Sequence, residues 1–296
     1  MRILITGASG FIGRRLLKRL ETEGGGHDMF VLPSPHFQPA RVAGRRYRLV
    51  ESAAEARAEL IYHLAGPALE ASEAEHEAVT VGGTRRLLAA LGPAAPGRRP
   101  PRLVLAGSGA EYGSGHGWRE TDAPRPDTAL GRAKCAAAAY ARAAALTVSL
   151  VHLRLFTPFG AGEAETRLIP SAVRAAVRGE AIRLRTTGEQ TRDYVEIDDV
   201  VEALVRAGRP DAALAPGITI NVCSGQPRRA LDVAACVARI AGSGVRVEPG
   251  TVRPEALRES AGDGGRAREL LGWEPRRDFE AALADLVAAA RQPAAA

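Results

Sequence analysis

Three glycines near the first residues of the chain have the spacing of a turn that binds phosphate. Gly7, Gly10 and Gly13 lie between a β-branched apolar run, Arg2 to Thr6, and a helical pattern, Phe11 to Leu20. One such glycine permits the tight bend, one lets the backbone approach a pyrophosphate, and one lets the helix pack on the sheet. The free N–H groups at the helix start then face the anion. Because strand, turn and helix follow in this order, the pattern predicts a dinucleotide site rather than a tight turn without a ligand.

The residues after the second predicted strand indicate which dinucleotide this site binds. An acidic residue there would accept the ribose hydroxyls of NAD, but the chain reads Val31-Leu32-Pro33-Ser34-Pro35. Arg14 follows the third glycine, and Arg41, Arg45 and Arg46 lie in the loop after the strand, where a guanidinium can bind a 2′-phosphate. The sequence therefore favours NADP(H), with NAD(H) possible, and Arg14 is the first candidate for the phosphate contact.

Further motifs follow the glycine turn in a fixed order along the chain. They are Ile61-Tyr-His-Leu-Ala65, Val79-Thr-Val-Gly-Gly-Thr84, Leu105-Ala-Gly-Ser108-Gly-Ala-Glu-Tyr112-Gly113, Arg154-Leu-Phe-Thr-Pro-Phe-Gly160, Gln190-Thr-Arg-Asp-Tyr-Val195 and Leu271-Gly-Trp-Glu-Pro275. With them the chain resembles the extended short-chain dehydrogenases/reductases, the NAD-dependent epimerase/dehydratase family, over nearly its whole length. Together with the glycine turn, the resemblance implies a cofactor site made of Gly7, Ser9, Gly10, Phe11, Ile12, Gly13, Arg14, Ala65 and Lys134.

The catalytic residues of this family are a Ser or Thr, a Tyr and a Lys, the last two as Tyr-x-x-x-Lys at the head of a helix. Ser108 and Lys134 match the first and the last, and Lys134 is one of only two lysines in the chain. The tyrosine position holds Leu130, which has no proton to give. Thr80 stands where the family commonly has Asn. The family's proton transfer is therefore not expected to operate unchanged, although Ser108 and Lys134 remain the predicted catalytic residues.

The resemblance also implies a substrate site. Its predicted members are Ser108, Tyr112, His116, Thr157 and Arg192. Tyr112 matches a Tyr-Gly pair of the family, for which a structural role is favoured over that of a relocated acid. His116 lies in a Gly-Ser-Gly-His-Gly segment, Thr157 stands where Asn is usual, and Arg192 is expected to contact either a substrate or a carboxylate of the smaller lobe.

The missing tyrosine favours one direction of reaction. Loss of a general acid costs roughly 10²- to 10⁴-fold in rate, which an activated ketone tolerates better than the oxidation of an alcohol, where a base must remove the hydroxyl proton. A family member without the tyrosine resembles the atypical reductases of aromatic polyketide tailoring. This implies NADPH-dependent reduction of a polycyclic aromatic, angucyclinone-type ketone in antibiotic biosynthesis, with Ser108, solvent or a hydroxyl of the substrate stabilising the oxygen.

Two other functions stay open. One is a nucleotide-sugar 4-ketoreductase or epimerase with a relocated acid, for which the smaller lobe would have to supply cationic groups such as Arg192. The other is a non-catalytic, NADP-sensing binding protein, which the loss of the tyrosine fits directly but Ser108 and Lys134 fit less well.

The elements that position these residues alternate between strand and helix patterns. Strand candidates such as Leu60 to Leu64 and Arg102 to Ala106 are separated by helical stretches such as Glu73 to Leu91 and Ala129 to Leu146. This alternation predicts a Rossmann-type, doubly wound parallel α/β sheet. We assign residues 1–155 to an NADP-binding domain, and residues 156–296 to a smaller, mostly helical substrate lobe with segments that return to the main sheet.

Composition excludes several other classes of protein. The chain has 296 residues, with 40 Lys+Arg against 34 Asp+Glu, 46% hydrophobic residues and three cysteines. The arginines are scattered with few aromatic residues nearby, so nucleic acid is not a predicted partner. No apolar run reaches the roughly 18 residues of a membrane helix and no leader pattern is present, so we expect a cytoplasmic protein without a membrane partner. The cysteines lack metal-ligand spacing, so no metal site is predicted, and the oligomeric state stays open.

Overall fold

The computed structural model describes residues 1–24, 26–34, 37–67, 71–94, 97–242, 244–252 and 259–292. The strands within these residues are, in chain order, β1 (Arg2–Thr6), β2 (Asp28–Leu32), β3 (Arg48–Leu49), β4 (Leu60–His63), β5 (Arg102–Ser108), β6 (Gly115–Trp118), β7 (Ser149–Leu155), β8 (Thr157–Phe159), β9 (Ile182–Arg183), β10 (Thr191–Glu196), β11 (Ile218–Val222), β12 (Pro227–Arg229), β13 (Val247–Glu248) and β14 (Ser260–Gly262).

The helices of the same residues cover the sheet and build the smaller lobe. They are α1 (Phe11–Thr22), α2 (Ala53–Ala56), α3 (Glu73–His76), α4 (Gly82–Leu91), α5 (Ala129–Ala143), α6 (Leu168–Val177), α7 (Ile197–Gly208), α8 (Ala230–Ala241), α9 (Gly265–Leu271) and α10 (Phe279–Arg291). Two 3₁₀ turns, Pro39–Val42 and Gly109–Glu111, and one π-helical turn, Glu77–Val81, complete them.

The central sheet has seven parallel strands in the order β11-β7-β5-β4-β1-β2-β3. Its inner strands are mostly buried and rich in apolar residues, as expected of a sheet that is covered on both faces, and the prediction of a Rossmann-type parallel sheet is confirmed. The order reverses between β1 and β4, where a crevice forms outside the carboxyl ends of the strands. The glycine turn follows β1, Ala65 lies just beyond β4, and Ser108 ends β5, so the sheet brings these predicted site residues to one edge.

Apolar residues form one core on each face of this sheet and a third core in the smaller lobe. On one face β1 and β7 pack with α1 and α7, and on the other the sheet packs with α2, α4 and α5. The third core joins α6, α8 and α10 through Phe159, Tyr194 and Phe279. Strand β11 pairs with β7 in the main sheet, so the chain returns to that sheet after residue 156. The boundary at residue 155 itself stays a prediction.

The helix predicted from Glu73 to Leu91 contains an irregular turn. Ser72 caps α3, and its side chain and that of Glu75 exchange hydrogen bonds with each other's backbone. The chain then passes through the π-helical turn Glu77–Val81 before it continues as α4. Such turns often lie at functional sites, and this one contains Thr80.

No helix of the described residues is long and apolar enough to cross a membrane. The same residues contain no group of three or more His, Cys, Asp or Glu side chains arranged to hold a metal ion.

Candidate active site

The glycine turn is packed so closely that only glycine fits at two of its positions. Gly7 has φ +71°, and a Cβ atom there would lie 2.7 Å from the backbone nitrogen of Ala65. A Cβ atom on Gly13 would lie 2.2 Å from the carbonyl oxygen of Gly7. The backbone of Gly10 donates to that oxygen at 3.0 Å, and no side chain caps α1. The N–H groups that begin α1 are thus presented for an anion, as the dinucleotide prediction requires.

A buried imidazole holds the loop after β4 against this turn. His63 contacts the hydroxyl of Thr6 through Nδ1 at 2.6 Å and that of Thr84 through Nε2 at 3.0 Å. Since Thr84 donates its own proton to the carbonyl of Thr80, Nε2 carries the imidazole proton and Nδ1 accepts from Thr6. Burial lowers the pKa of His63 to about 3, with a smaller contribution from the charge of Lys134. The backbone of Ala65 donates to Thr6 at 3.3 Å.

A cleft of about 540 Å³ opens at the glycine turn and extends to the loop after β2. The predicted cofactor residues Gly7, Ser9, Gly10 and Ala65 line it. Its other wall carries Ser34, Gln38 and Arg41, and the backbone of Gln38 donates to the hydroxyl of Ser9 at 3.2 Å. These residues fit the adenosine half of a dinucleotide, and Ser34 and Gln38 were not predicted from the sequence.

Three further residues of α1 are predicted cofactor contacts: Phe11, Ile12 and Arg14. Arg14 donates to the carbonyl of Gly162, on the loop after β8. Burial and the nearby charges of Arg41 and Arg15 lower the pKa of Arg14. Arg41 itself lines the cleft, so it is better placed for a 2′-phosphate than Arg14, which the sequence put first. Ile12 packs against the main core and Phe11 begins α1 half-buried.

Ser108 ends β5 and caps the 3₁₀ turn that follows. Its Oγ accepts from the backbone of Ala110 at 3.2 Å, while its own backbone donates to Oε1 of Glu111 at 2.9 Å. The hydroxyl proton of Ser108 is therefore free to point away from the turn, and the side chain is half-buried at the edge of the sheet. This geometry allows Ser108 to donate a hydrogen bond to a substrate oxygen.

Glu111, which fixes Ser108, is completely buried and bound by two basic side chains of β7. His152 contacts Oε1 at 3.1 Å and Arg154 donates to Oε2 at 2.8 Å. Burial alone would raise the pKa of Glu111, but these two partners lower it to about 2. Arg142 donates to Nδ1 of His152 at 3.2 Å, so the imidazole donates to Glu111 through Nε2. A Cβ atom on Gly107 would lie 2.1 Å from His152, which explains the glycine before Ser108.

Lys134 lies on α5, one turn beyond Leu130 and on the same face of the helix. Its Nζ donates to the carbonyl of Ala106 on β5 at 2.7 Å. Burial lowers the pKa of Lys134 to about 8, against the opposing effect of Glu111. A Cβ atom built on Gly66, at the cofactor cleft, would lie 3.8 Å from this Nζ and 3.9 Å from Oγ1 of Thr80. Lys134 and Thr80 therefore both lie beside Gly66, at the cleft.

Two of the predicted substrate residues, Tyr112 and His116, are engaged with other side chains. Tyr112 is completely buried, donates to Oδ1 of Asn221 at 2.8 Å and is stacked on Trp118. Burial raises its pKa to about 12. These contacts favour a structural role for Tyr112, and its contact with substrate stays a prediction. His116 is on β6, largely exposed, and lies 3.3 Å from Glu259. Within the described chain it forms no hydrogen bond or ion pair with Ser108 or Lys134.

Arg192 and Thr157 lie on neighbouring strands of the smaller lobe, where β10 pairs with β8. Arg192 donates to the carbonyl of Thr191 at 2.7 Å, and among the described residues it forms no ion pair with a carboxylate. Burial lowers its pKa, Tyr194 and Asp127 oppose this, and the positive charge of Arg167 adds to it. Because Asp127 precedes the capping residue of α5, Arg192 lies close to the end of α5 that carries Leu130.

Several residues that position the site were not predicted, although the sequence contains a recognisable pattern for some of them. Ser108-Gly-Ala-Glu111 has the S-x-x-E spacing of a capping box, which would have identified Glu111. His63 lies inside a motif quoted for the family resemblance, yet its partners Thr6 and Thr84 are 57 and 21 residues away. Nothing in the sequence joins Arg14 to Gly162, which lies 148 residues further on.

These features define a class of protein. A parallel sheet with a glycine turn at its point of reversal, and a Ser and a Lys at the neighbouring strand and helix, are the parts of a dinucleotide-dependent short-chain dehydrogenase/reductase. The chain belongs to the NAD dependent epimerase/dehydratase family, whose model matches residues 3–223.

Curated relatives of similar length are nucleotide-sugar enzymes. The dTDP-L-rhamnose 4-epimerase of Burkholderia thailandensis is 28% identical, over 96% of this chain and 93% of that protein. The GDP-6-deoxy-D-mannose reductase of Pseudomonas aeruginosa is 28% identical, over 95% and 94%. Among solved structures, that of MoeE5 in complex with UDP-glucose and NAD is 26% identical and superposes with a TM-score of 0.83, over 97% of this chain and 98% of MoeE5.

These relatives do not support the expected likeness to aromatic polyketide ketoreductases, nor a preference for NADP. The enzyme family is supported, whereas the substrate expected from the missing tyrosine is not.

Proposed function

We propose that the protein is a nicotinamide-dependent enzyme that reduces the ketone of a keto nucleotide sugar. The observation that carries this proposal is the half-buried Arg192 with Arg167 near it, beside the start of α5. Arg167 pairs with Glu163 at 3.1 Å, whereas Arg192 has no ion pair with a carboxylate among the described residues. A half-buried guanidinium of this kind is costly unless an anion binds it, and one planar guanidinium group can bind two phosphate oxygens at once. The diphosphate of a nucleotide sugar supplies such an anion, and the relatives named above are enzymes of nucleotide sugars.

Leu130 favours reduction over epimerisation. A 4-epimerase must first oxidise a hydroxyl, which requires a base that accepts its proton, whereas reduction starts from the ketone. The Pseudomonas relative named as a reductase gives a precedent for this class of reaction in the family. An aromatic ketone has no anionic group that would bind Arg192, so the keto nucleotide sugar is the better candidate.

The chain's own residues have separable roles in this reaction. Gly7, Gly10 and the start of α1 bind the pyrophosphate of the dinucleotide, which supplies a hydride when bound. Ser108 donates a hydrogen bond to the carbonyl oxygen, and Glu111 holds Ser108 in place. Arg192 binds the diphosphate of the substrate. Positioning of this kind contributes several kcal/mol to the lowering of the barrier.

The choice between NAD and NADP is part of the same proposal. Arg41 and the absence of an acid after β2 favour NADPH, while the NAD in the MoeE5 complex favours NADH. Steady-state kinetics with both dinucleotides decides between them.

Reduction assays with purified protein test the proposed function. We expect loss of nicotinamide absorbance with dTDP-, UDP- or GDP-linked 4-keto sugars, and none with a polycyclic aromatic ketone. Arg192→Gln should raise the KM for the sugar nucleotide about 10- to 100-fold, since a charge-assisted hydrogen bond contributes roughly 1.5–3 kcal/mol. Arg183→Gln is the matched control, because Arg183 is exposed and paired with Glu248.

Other outcomes would replace the proposal. Turnover of the aromatic ketone alone would restore the polyketide substrate. Tight binding of dinucleotide without turnover of any ketone would identify a non-catalytic binding protein, which Leu130 also permits.

A further inference from the structure

A reduction at this site needs a proton, and most groups of the described residues that could give one are occupied elsewhere. The hydroxyl of Tyr112 is bound to Asn221, and His152 is buried against Glu111. His63 is enclosed between Thr6 and Thr84. His116 is exposed on β6, beside Glu259. Leu130 has nothing to donate.

Lys134 differs from these groups because it lies beside the cofactor cleft. Its Nζ uses one hydrogen for the carbonyl of Ala106, and an ammonium group has two more. Nζ lies beside Gly66, which lines the cofactor cleft, and Oγ1 of Thr80 lies beside the same glycine. Leu130, one helical turn earlier, is shorter than the tyrosine of the family, so a water molecule can occupy the position of the phenol.

Thr80 supplies a second, independent observation. Its hydroxyl is 2% exposed and forms no hydrogen bond within the described chain. A buried hydroxyl without a partner is costly, and this one, on the π-helical turn Glu77–Val81, lies beside Gly66 as Nζ of Lys134 does. The hydroxyl can accept a hydrogen bond from an ammonium group or from a water molecule beside it.

We propose that Lys134 is the proton donor of the reduction, in place of the missing tyrosine, with Thr80 as the partner that orients it through a bridging water. This inference rests on the proposed function. The carbonyl carbon receives the hydride with its electron pair, the carbon–oxygen π bond breaks, and the oxygen takes a proton that Nζ releases through the water. The N–H electron pair stays on Nζ, which becomes a neutral amine and regains a proton from solvent.

The charges around Lys134 set the pH range in which it can act. Glu111, on the turn after β5, stabilises the ammonium form, and His63, on β4, is held neutral. Thr80 and Ala106 are uncharged, and the acidic Glu73 of α3 is bound to Arg132 at the surface. Because burial outweighs Glu111 and lowers the pKa of Lys134 to about 8, the rate of reduction should fall as the pH rises through about 8.

The two lysines of the chain allow a test that does not depend on activity. Protein labelled with ¹³C at lysine Cε should show two side-chain resonances, and Lys134→Arg identifies that of Lys134 by its loss. We expect this resonance to titrate near pH 8 in the protein without cofactor. A Lys134 resonance that does not move below pH 9.5 would overturn the proposal.

A second test of Lys134 as the proton donor is the rate of single-turnover reduction with saturating dinucleotide. Lys134→Arg keeps a positive charge but titrates far above the range of the assay, so we expect the rate to fall at least about 100-fold while the Kd of the dinucleotide changes only a few-fold. Leu130→Tyr in this background should restore part of the rate. Lys18→Arg, at the exposed lysine of α1, is the matched control and should keep the wild-type rate and pH profile.

The outcomes separate the two proposals. If Lys134→Arg keeps the rate within threefold while the wild type reduces keto sugars, the proposed function stands and Lys134 is not the donor. If the rate and the dinucleotide affinity fall together, Lys134 only binds the cofactor. If the wild-type protein reduces no ketone, the proposed function fails and the donor role fails with it.

Discussion

Two buried polar clusters hold the loops that follow neighbouring strands of the sheet, and they differ in charge. Under the cofactor loop, His63 bridges Thr6 and Thr84 as a neutral imidazole. Under Ser108, Glu111 is ionised and bound by His152 and Arg154. The first cluster exchanges hydrogen bonds among groups that carry no charge. The second places a carboxylate and a guanidinium in the interior, where each depends on the other.

The difference shows how each half of the site is fixed. The cofactor half is determined by backbone packing, since the contacts at Gly7 and Gly13 leave no room for a side chain, and His63 only secures the adjoining loop. The substrate half begins at Ser108, whose position depends on a single buried charge. We therefore expect substitutions in the second cluster to cost more stability than those in the first.

The largest effect is expected from Glu111→Ala. It leaves Arg154 buried without its carboxylate, and one guanidinium nitrogen of Arg154 already has no partner within the described residues. Breaking a buried ion pair from one side costs about 3–5 kcal/mol in the free energy of unfolding. Urea denaturation measures this cost. Glu248→Gln, at an exposed pair with Arg183, is the control and should cost less than about 1 kcal/mol. Equal losses for the two variants would refute the dependence on charge.

The second largest effect is expected from a substitution in the glycine turn. Gly13→Ala should force the backbone apart, because the added Cβ would lie 2.2 Å from the carbonyl oxygen of Gly7. Overpacking of this kind costs about 1–3 kcal/mol, and fluorescence titration should show weaker binding of the dinucleotide. Gly83→Ala is the control, because its position on α4 has open space and should become slightly more stable. Unchanged binding by the Gly13 variant would exclude this turn as the cofactor site.

The two clusters also predict different windows of acid sensitivity. Below pH 6.5 the unfolded chain takes up a proton at His63, whereas the folded chain keeps it neutral until about pH 3. The unfolded state binds more protons in this window, so stability falls as the pH falls, by up to about 1.4 kcal/mol per pH unit. Glu111 also makes the folded state less stable as the pH falls, but only between pH 4.5 and about 2.

Thermal melts of His63→Gln between pH 7 and pH 5 separate the two contributions. The variant should lose part of the slope in this range, whereas His116→Gln, at an exposed histidine, should keep it. A wild-type slope in the His63 variant would show that other groups cause the acid sensitivity.

The sequence could predict the features that depend on neighbouring residues, but not those that depend on distant partners. The sheet and the glycine turn follow from local patterns, because each depends on residues close in sequence. The sequence alone showed that Leu130 replaces the family tyrosine, because the motif Tyr-x-x-x-Lys fixes that position relative to Lys134. The surroundings of Arg14 and Tyr112 depend on partners more than 100 residues away, so their predicted contacts with ligands could not be checked from spacing. The likeness to aromatic ketoreductases is not supported by the relatives, and it rested on one absent side chain, which does not specify what binds beside it.

The smallest expected effect is that of Arg41→Ala, in the cofactor half of the site. Arg41 is exposed at the rim of the cleft, and its charge acts on Arg14. If it binds a 2′-phosphate, Arg41→Ala should lower the kcat/KM ratio of NADPH over NADH about tenfold, which corresponds to about 1.4 kcal/mol, and leave NADH kinetics unchanged. Arg45→Ala is the control, because Arg45 is paired with Glu21 at 3.2 Å. Because exposed charges are screened by salt, the effect of Arg41→Ala should shrink at high ionic strength. An equal loss with the two dinucleotides would assign Arg41 to the part of the cofactor that they share, and the site would then be one for NAD.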